Sequence, residues 1–320
     1  MYKDIKSKKA KFWPREKDFS YKNLASSITS QLKITPQTKI CSMGSCFGVE
    51  IKHFLRAKGY SYMLGEQNKP FWDHLAGIRD PRYHASVCWE RIYNTFTFLN
   101  IIQYTFREKE FDRWLTTSDQ RIMDLVRNYI FYPDMQTAQE DIIEHIAESR
   151  RILTTADLLI FTLGLTEVWR HLDRGFIIGG YNKFCASENL QFQVSQYQQN
   201  LNNLEQAYYI LKKHNPKLQI LITVSPIPLN ATFRADADVI TSNCNSKSIL
   251  VAVANQFVRN HSKGQVYYFP SYEIATTILP MLYNRKPSKV PIWRHDDNRH
   301  LSKETVRLIM KTFRQICMVT

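Results

Sequence analysis

Apolar segments alternate with amphipathic ones along most of the chain. Short apolar runs predict strands at residues 39–42, 157–163, 218–224 and 266–269. Apolar residues that recur at three- and four-residue steps predict helices at about 47–58, around 142–147, over 194–211 and at about 246–258. This alternation is typical of a mainly parallel sheet covered by helices on both faces. It predicts an α/β fold whose functional residues lie just beyond the carboxyl ends of the strands.

Two segments break the alternation. Residues 1–30 carry lysines and arginines around Phe12 and Trp13, which predicts a basic N-terminal arm. The arm would contact an anionic surface or lie solvated, held by its aromatic residues. Residues from about 65 to 133 are rich in Trp, Tyr and Arg and are interpreted as an insertion that shapes a pocket, with a packed subdomain core as the alternative. Residues 31–320 are predicted to form one domain that includes this insertion.

The charge balance favours an anionic partner. The 320 residues include 43 Lys and Arg against 29 Asp and Glu, which gives a net charge of +14. Nucleic acid, acidic lipid, a phosphorylated cofactor and a charged glycan all suit such an excess. Because no nucleic-acid-binding motif is recognisable, we expect no nucleic-acid partner.

Cysteine spacing and the lack of long apolar runs predict a reduced, cytoplasmic setting. The six cysteines include no Cys-x-x-Cys pair, which disfavours a zinc ribbon or a thioredoxin-type redox site. No apolar stretch follows the basic N-terminus, and no run approaches the ~20 residues of a membrane span. We expect a cytoplasmic protein that is soluble or lies peripherally at the inner face of the membrane.

The first predicted strand leads into a serine between small residues, Ser45 in the run 42–48. A serine at a strand-to-helix turn can expose a nucleophile near a helix N-terminus, where its own backbone N–H can help to stabilise an oxyanion. The alternative is that Ser45 only caps the helix, because serine is favoured at that position.

A second polar cluster, at residues 295–300, precedes the last helix. Its Asp297 lies three residues before His300, a spacing at which the carboxylate can hold the imidazole in one tautomer and leave the other ring nitrogen to accept a proton. A metal site is a poorer alternative, because these short spacings suit zinc badly. A solvated loop is the third interpretation.

The third candidate segment, residues 163–169, follows an apolar strand. Gly164 would let the backbone approach a ligand closely, and Thr166 could donate a hydrogen bond. Glu167 is a carboxylate whose pKa burial could raise. The alternative for Glu167 is an acidic residue in the first turn of a helix.

These blocks together resemble the GSCFA family, a branch of the SGNH (GDSL-like) hydrolase superfamily. Residues 44–47 read Gly-Ser-Cys-Phe as in the motif that names the family, with Gly48 in place of the usual Ala. The other matching blocks are residues 161–169, 223–229, 246–248, 268–274 and 297–300. Leu301 stands where Pro commonly follows the histidine. The resemblance covers roughly residues 36–305.

The resemblance implies a three-layer α/β/α sandwich with a catalytic triad. Ser45 would be the nucleophile, His300 the general base and Asp297 its orienting acid. The implied oxyanion hole combines the Ser45 N–H, Thr166 and a backbone N–H near Arg91. In the family a glycine of a second sequence block usually supplies the last of these groups. Residues 85–93 resemble that block but have Glu90 in place of the glycine. Substrate contacts are expected from Gly164, Glu167, Trp169 and Trp89.

The predicted function is serine-dependent acyl chemistry, as an ester hydrolase or an O-acyltransferase. Because the family occurs among surface-polysaccharide genes, the resemblance suggests carbohydrate esters, as in capsule biosynthesis. No cofactor is required, although a transferase would use an acyl donor such as acetyl-CoA. The insertion's aromatic and basic residues would suit an anionic glycan or phosphorylated donor: Trp72, Arg79, Arg82, Tyr83, Trp89, Arg91 and Trp114. The alternative is a non-catalytic or weakly catalytic accessory protein that binds a glycan, a lipid carrier or a membrane enzyme of a polysaccharide-synthesis complex.

Overall fold

A computed structural model defines the fold of the chain. It describes residues 13, 20, 24–28, 30–65, 85–89, 92–107, 115–118, 121–127, 130–181, 185, 187–261, 263, 265–285 and 291–319. The strands within these residues are β1 (Ile40–Gly44), β2 (Leu115–Ser118), β3 (Arg121–Asp124), β4 (Phe131–Tyr132), β5 (Leu158–Leu163), β6 (Glu167–His171), β7 (Leu190–Val194), β8 (Gln219–Val224) and β9 (Val266–Phe269).

The helices alternate with the central strands as the pattern predicted. They are α1 (Cys46–Ala57), α2 (Thr95–Thr105), α3 (Met135–Thr155), α4 (Tyr197–His214), α5 (Val239–Asn260), α6 (Ser271–Glu273), α7 (Leu279–Arg285) and α8 (Lys303–Cys317). A π-helical turn at Ile274–Ile278 connects α6 to α7, and a short 3-10 helix covers Leu24–Ser27. The predicted central strands and helices are confirmed, but α3 and α5 each begin about seven residues before the predicted start.

The central sheet is parallel and has the strand order β1-β5-β8-β9. An isolated parallel bridge between Ile40 and Tyr62 adds a short pairing on the outer side of β1. All six residues of β5 are buried, as expected of a strand with helices on both faces. Its alternating side chains enter two separate cores, with Leu159 and Phe161 in one and Leu158 and Ile160 in the other.

Helices cover both faces of this sheet. The core on one face includes residues of α2, α3, α4 and α5, and the core on the other face includes residues of α1, α7 and α8. The predicted three-layer α/β/α architecture with a mainly parallel sheet is therefore confirmed. Because every βα connection starts at the same edge, the segments that follow β1, β5 and β8 meet there.

The segment predicted as an insertion is described in part. Its helix α2 packs against α4 and contributes Phe98, which stacks on Phe161 of β5 at 4.1 Å between ring centroids. β2, β3 and β4 form a separate antiparallel sheet. Buried Arg127 ties this sheet to α3 through ion pairs with Asp124 and Asp141. Part of the segment thus belongs to the main core, and the boundaries of the insertion stay a prediction.

The predicted basic arm lies mostly outside the described residues. Its described portion includes Leu24, which is buried in the core beside α8, and Trp13, which is exposed. Within the described parts of the chain, no helix combines the length and the apolar character needed to cross a membrane. Cys41, Cys88, Cys185, Cys244 and Cys317 are free thiols.

Candidate active site

Ser45 lies at the junction of β1 and α1. It occupies the N-cap position of α1 with an extended backbone, at φ −72° and ψ 172°. A serine at this position normally accepts a hydrogen bond from the first helical turn, but the Ser45 side chain makes no such bond. The residue is 4% exposed, and its Oγ has no hydrogen-bond partner among the described residues. The alternative in which Ser45 only caps the helix is therefore wrong.

The backbone beside Ser45 is pressed against β5. Gly44 has a φ of +128°, and a Cβ on it would lie 2.5 Å from the carbonyl oxygen of Thr162. Only glycine fits there. The Ser45 N–H donates to the same carbonyl at 3.3 Å. The N–H expected to help form the oxyanion hole therefore already has a partner within the protein, although at 3.3 Å this hydrogen bond is long.

Asp297 and His300 form a hydrogen-bonded pair in the loop before α8. Asp297 Oδ2 pairs with His300 Nδ1, while Oδ1 accepts from the backbone N–H groups of Arg299 at 3.0 Å and His300 at 2.9 Å. The hydrogen bond from the imidazole, followed by those from the two backbone N–H groups, lowers the pKa of Asp297 well below its usual range. Because an ionised carboxylate only accepts, Nδ1 must carry the proton and Nε2 is left as the basic nitrogen.

The loop that carries this pair is folded on itself. Arg294 N–H donates to the carbonyl of His300, and Asn298 N–H donates to the carbonyl of Arg294. Arg299 Nη1 reaches the Pro228 carbonyl at 3.5 Å, which places the loop beside the segment that follows β8. Asp296 is paired with Arg294 rather than with a histidine. Among the described residues, no three His, Cys, Asp or Glu side chains group closely enough to hold a metal ion.

The triad is not closed by hydrogen bonds. Because Ser45 Oγ has no partner among the described residues, no Ser45–His300 bond is formed. The side chain of His300 is 30% exposed, in contrast with the buried serine. Catalytic hydrogen bonds are often long in proteins without substrate and tighten only in the complex.

The loop after β5 supplies a buried hydroxyl. Thr166 is fully buried, and its Oγ1 has no hydrogen-bond partner in the described part of the chain. The Gly164 N–H and the Leu165 N–H both donate to the carbonyl of Tyr93, at 2.8 and 3.0 Å. A Cβ on Gly164 would lie 2.9 Å from that carbonyl oxygen. The close approach that Gly164 allows is therefore to the Tyr93 backbone, and its expected contact with substrate stays a prediction.

Two side chains of α5 hold this loop, and the pattern analysis gave neither a role. Lys247 is buried, and its Nζ donates to the Gly164 carbonyl at 2.6 Å. Ser246 Oγ accepts from the Thr166 N–H at 2.9 Å. The available signal was that Lys247 falls on the buried stripe of α5 with Leu250 and Ala254. A lysine on such a stripe needs a partner, because burial of an unpaired charge is costly.

Glu167 and Trp169 lie on β6, a strand that the pattern did not predict. The alternative in which Glu167 starts a helix is wrong. Glu167 Oε1 accepts from the Thr232 hydroxyl at 2.6 Å, in the segment that follows β8. Trp169 stacks on Tyr181 at 4.6 Å and meets Phe233 edge-on at 4.9 Å. We call Trp169, Tyr181, Phe192 and Phe233 the aromatic cluster.

Of the other residues predicted to contact substrate, Trp89 lies within the described residues and the rest lie outside them. Trp89 has no exposed surface, and its Nε1 donates to Ser149 Oγ at 2.9 Å. Its expected contact with substrate is corrected, because the indole is part of the core. The remaining residues predicted to contact substrate or an oxyanion lie outside the described residues: Trp72, Arg79, Arg82, Tyr83, Glu90, Arg91 and Trp114.

Comparison with known proteins identifies the family. The sequence model of the GSCFA family matches residues 39–313, a range that includes Ser45, the loop after β5 and the Asp297–His300 pair. No protein of curated function matches the chain significantly.

The similar solved structures are distant. A carbohydrate esterase family 3 protein from Talaromyces cellulolyticus has a TM-score of 0.38 and 10% identity, over 87% of this chain and 94% of that one. A peptidoglycan O-acetylesterase has a TM-score of 0.30 and 14% identity, over 57% and 47%. A salicylyl-acyltransferase from a tetracycline biosynthetic pathway has a TM-score of 0.29 and 14% identity, over 53% and 40%. With TM-scores below 0.5, these similarities carry no weight for the reaction of this chain.

Proposed function

Because the chain belongs to the GSCFA family, we propose that it is a serine-dependent enzyme of the SGNH type. It moves an acyl group from an ester to water or to a sugar hydroxyl, and its substrates are carbohydrate O-acyl esters. Ser45 is the nucleophile, His300 the general base and Asp297 the residue that orients the imidazole.

The observation that carries the proposal is the unused hydroxyl of Ser45. A buried hydroxyl without a partner costs free energy, and the N-cap position offered a hydrogen bond that this side chain does not make. Such a cost is a common mark of a group reserved for function. The position at the carboxyl end of β1 is also where α/β folds place reacting groups.

The Asp297–His300 pair supplies the matching base. The low pKa of Asp297 keeps the carboxylate ionised at neutral pH, so the proton on Nδ1 stays with the imidazole. His300 Nε2 then accepts the Ser45 proton as Oγ attacks the acyl carbon. The ester alcohol leaves with that proton, and the acyl group remains on Ser45. Water or a sugar hydroxyl then attacks the acyl-serine, gives its proton to Nε2, and releases the acid or the new ester.

Thr166 is the proposed donor to the oxyanion. Its hydroxyl is buried and has no partner among the described residues, so it can donate without first breaking a bond inside the protein. The Ser45 N–H can contribute only if it gives up its 3.3 Å bond to the Thr162 carbonyl. One well-placed donor is worth on the order of 100-fold or more in rate.

The aromatic cluster supports a carbohydrate as substrate. Tyr181 is 40% exposed and Phe233 is 52% exposed, although large aromatic rings are usually buried when they serve only the core. Their exposed rings flank Trp169 on the hairpin of β6 and β7, which starts directly after the loop that holds Thr166. Exposed aromatic rings provide flat apolar surface on which a sugar ring can lie.

The reaction is tested with esters of known structure. Purified protein is incubated with p-nitrophenyl acetate and with acetylated xylan, and acetate release is measured against time. A parallel reaction contains acetyl-CoA and deacetylated xylan, and acetyl transfer is followed by mass spectrometry. We expect release or transfer by the wild type and none by Ser45→Ala. Equal turnover by both proteins, or none by a folded wild type in any of the three reactions, contradicts the proposal.

A second candidate function is glycan binding without acyl chemistry. It is favoured by the Ser45 N–H, which donates to Thr162 instead of pointing at an empty site, and by the missing Ser45–His300 bond. An accessory protein of this kind would bind acetylated xylan with the same affinity in the wild type and in Ser45→Ala, and would release no acetate.

A further inference from the structure

A recess lies between α1 and α8, on the face of the sheet opposite to α4 and α5. Its volume is about 410 Å³, within the range of small-molecule sites. Five cationic side chains line it, and Glu50 is its one acidic residue; the cations are Lys58, Lys303, Arg307, Lys311 and Arg314. We call this recess the basic groove.

Four of the five cations lie in a row because of their spacing along α8. Residues 303, 307, 311 and 314 recur at four- and three-residue steps, so they form a row along one side of the helix. The eleven steps of helical rise from residue 303 to residue 314 span about 16 Å. The other side of α8 buries Ile309, Phe313 and Ile316 in the core, so the row cannot turn inward.

Within the described part of the chain, the acidic neighbour of these cations is Glu50, whose pKa is raised by burial and partly lowered by the charge of Lys303. No ion pair joins any of the five to a described acidic side chain. Elsewhere the protein pairs its arginines closely, as in the Arg127 pairs with Asp124 and Asp141. Several like charges held together repel one another, and an anionic ligand would relieve that repulsion.

The groove also has an apolar floor. Phe54 of α1 and Val306 and Met310 of α8 lie between the cations. A ligand that combines anionic groups with an apolar segment would satisfy both parts of the lining. Arginine and lysine together suit phosphate, since the guanidinium binds its oxygens in pairs and the ammonium acts as a point charge.

The groove lies between the two helices that follow Ser45 and His300 in the chain. Helix α1 starts directly after Ser45, and α8 starts three residues after His300. Glu50 and Lys303 therefore lie near the end of the groove that faces Ser45, whereas Lys58 and Arg314 lie near its far end. A ligand bound along the groove would therefore have one end toward the edge of the sheet at which Ser45 lies.

We propose that the basic groove binds the phosphate groups of a small phosphorylated molecule that also has an apolar segment. The recess is open and its five cations are exposed, but it suits a small molecule better than a flat membrane surface because an apolar floor of Phe54, Val306 and Met310 lies between the cations. The binding claim is independent of the acyl chemistry. That this molecule is the acyl donor for Ser45 rests on the proposed function.

Calorimetry with coenzyme A as the probe tests the binding claim. Coenzyme A carries phosphates and an apolar segment, and inorganic pyrophosphate serves as a second probe without the apolar part. We expect the wild type to bind coenzyme A more tightly than pyrophosphate, with an affinity that falls as salt is added. Arg307→Glu combined with Lys311→Glu should weaken binding at least about tenfold, because two charge-assisted contacts are lost.

A charge-matched control separates a site from general attraction. Lys213→Glu combined with Lys217→Glu removes the same charge at exposed positions at the other edge of the sheet. Equal weakening by both pairs overturns the proposal, as does no binding of either probe by folded wild type. A second groove pair, Lys303→Gln and Lys311→Gln, repeats the test without charge reversal.

Two further measurements, of vesicle binding and of Ser45 labelling, distinguish a failure of the binding proposal from a failure of the acyl-donor role. Binding to phosphatidylglycerol vesicles that the groove variants lose, with no binding of coenzyme A, overturns the small-molecule proposal in favour of a membrane surface. Labelling of Ser45 by a fluorophosphonate probe, repeated in the groove variants, reports on the active site separately. If the groove variants lose coenzyme A binding but keep the labelling of Ser45, the groove proposal is supported. If the groove variants lose coenzyme A binding and the wild type is not labelled, only the role of the ligand as acyl donor is refuted.

Discussion

The two halves of the candidate active site are built in different ways. The nucleophile half is part of the core: Ser45 is buried between β1 and α1, and the loop of Thr166 is tied down by Lys247 and Ser246 of α5. The base half is a surface loop whose hydrogen bonds are internal, with Asp297 and His300 joined to each other and to adjacent backbone groups. Among the described residues, the long hydrogen bond from Arg299 to the Pro228 carbonyl links this loop to the segment that follows β8.

This difference indicates that the nucleophile half has a fixed position and that the loop of the base half can move. Groups fixed by buried hydrogen bonds cannot move without breaking them, so the position of Ser45 and Thr166 is set by the fold. The Asp297–His300 pair keeps its internal geometry wherever its loop lies. The absent Ser45–His300 bond is therefore expected to form by movement of the loop rather than of the serine.

The largest expected effect is that of Ser45→Ala. Removal of the nucleophile should lower the rate of acyl transfer on the order of 10⁴-fold or more. Because the buried hydroxyl has no hydrogen-bond partner among the described residues, its removal should leave the free energy of unfolding unchanged or raise it. The matched control is Ser302→Ala, whose hydroxyl caps α8 by accepting from the Thr305 N–H at 3.1 Å and whose loss should cost about 1 kcal/mol. Urea unfolding checks both values; an equal cost for both would mean that Ser45 does cap its helix.

Asp297→Asn should come next. An amide cannot hold Nδ1 as the donor in the same way, so the imidazole loses its fixed tautomer, and kcat should fall about 10³- to 10⁴-fold. Asp296→Asn is the control in the same loop, since Asp296 pairs with Arg294 and not with His300. Steady-state kinetics with p-nitrophenyl acetate decides. Similar losses in both variants would show that the loop acts only as a structural unit.

Lys247→Met should have an intermediate effect on kcat, because Lys247 positions the loop of Thr166 and takes no part in the reaction itself. It removes the bond from Nζ to the Gly164 carbonyl, frees the loop of Thr166, and should lower kcat about 10- to 100-fold. Lys212→Met is the matched control: Lys212 also donates to backbone carbonyls, those of Pro216 and Leu218, but before β8 and so at the opposite edge of the sheet. A role for Lys247 in stability alone would lower the melting temperature and leave kcat of the folded enzyme unchanged, which would contradict the positioning role.

The smallest expected effect concerns stability against pH. The pKa of Asp297 is lowered in the folded protein by His300 and by two backbone N–H groups. Its ionised form therefore stabilises the fold at pH above the unfolded value of about 3.9, and this contribution is lost as the pH falls below it. Relative to Asp297→Asn, the advantage of the wild type in urea unfolding should be constant above about pH 5 and shrink below about pH 4. An advantage that grows towards acid would contradict the lowered pKa.

The pattern of the sequence was sufficient for the central sheet and most of its covering helices, but not for α2, which lies in the segment predicted as an insertion. Strands such as β5 and β8 are buried on both faces and so appear as continuous apolar runs. The hairpin of β6 and β7 was missed because Val194, the last residue of β7, also fits the helical repeat of α4. The alternation of Leu190, Phe192 and Val194 with glutamines was the signal for a strand.

The site was predicted as a set of residue types but not as a geometry. The motif placed Ser45 correctly at a strand-to-helix turn, and the spacing of Asp297 and His300 predicted their hydrogen bond. Spacing cannot show that the Ser45 N–H donates to Thr162 or that Gly164 lies against Tyr93, because those contacts join segments far apart in the chain. The buried state of Trp89 was equally hidden, since an aromatic residue in a polar segment suits both a pocket and a core.

Chemical labelling of the serine is the most direct test of the central claim, that Ser45 is a nucleophile activated by His300. The folded protein is treated with a fluorophosphonate probe, and the modified residue is identified by peptide mass spectrometry. We predict a single modification on Ser45 in the wild type and in Ser302→Ala, and none in Ser45→Ala or in His300→Ala. Wild type that is folded but unlabelled, or labelling of Ser45 that persists in His300→Ala, would contradict the claim.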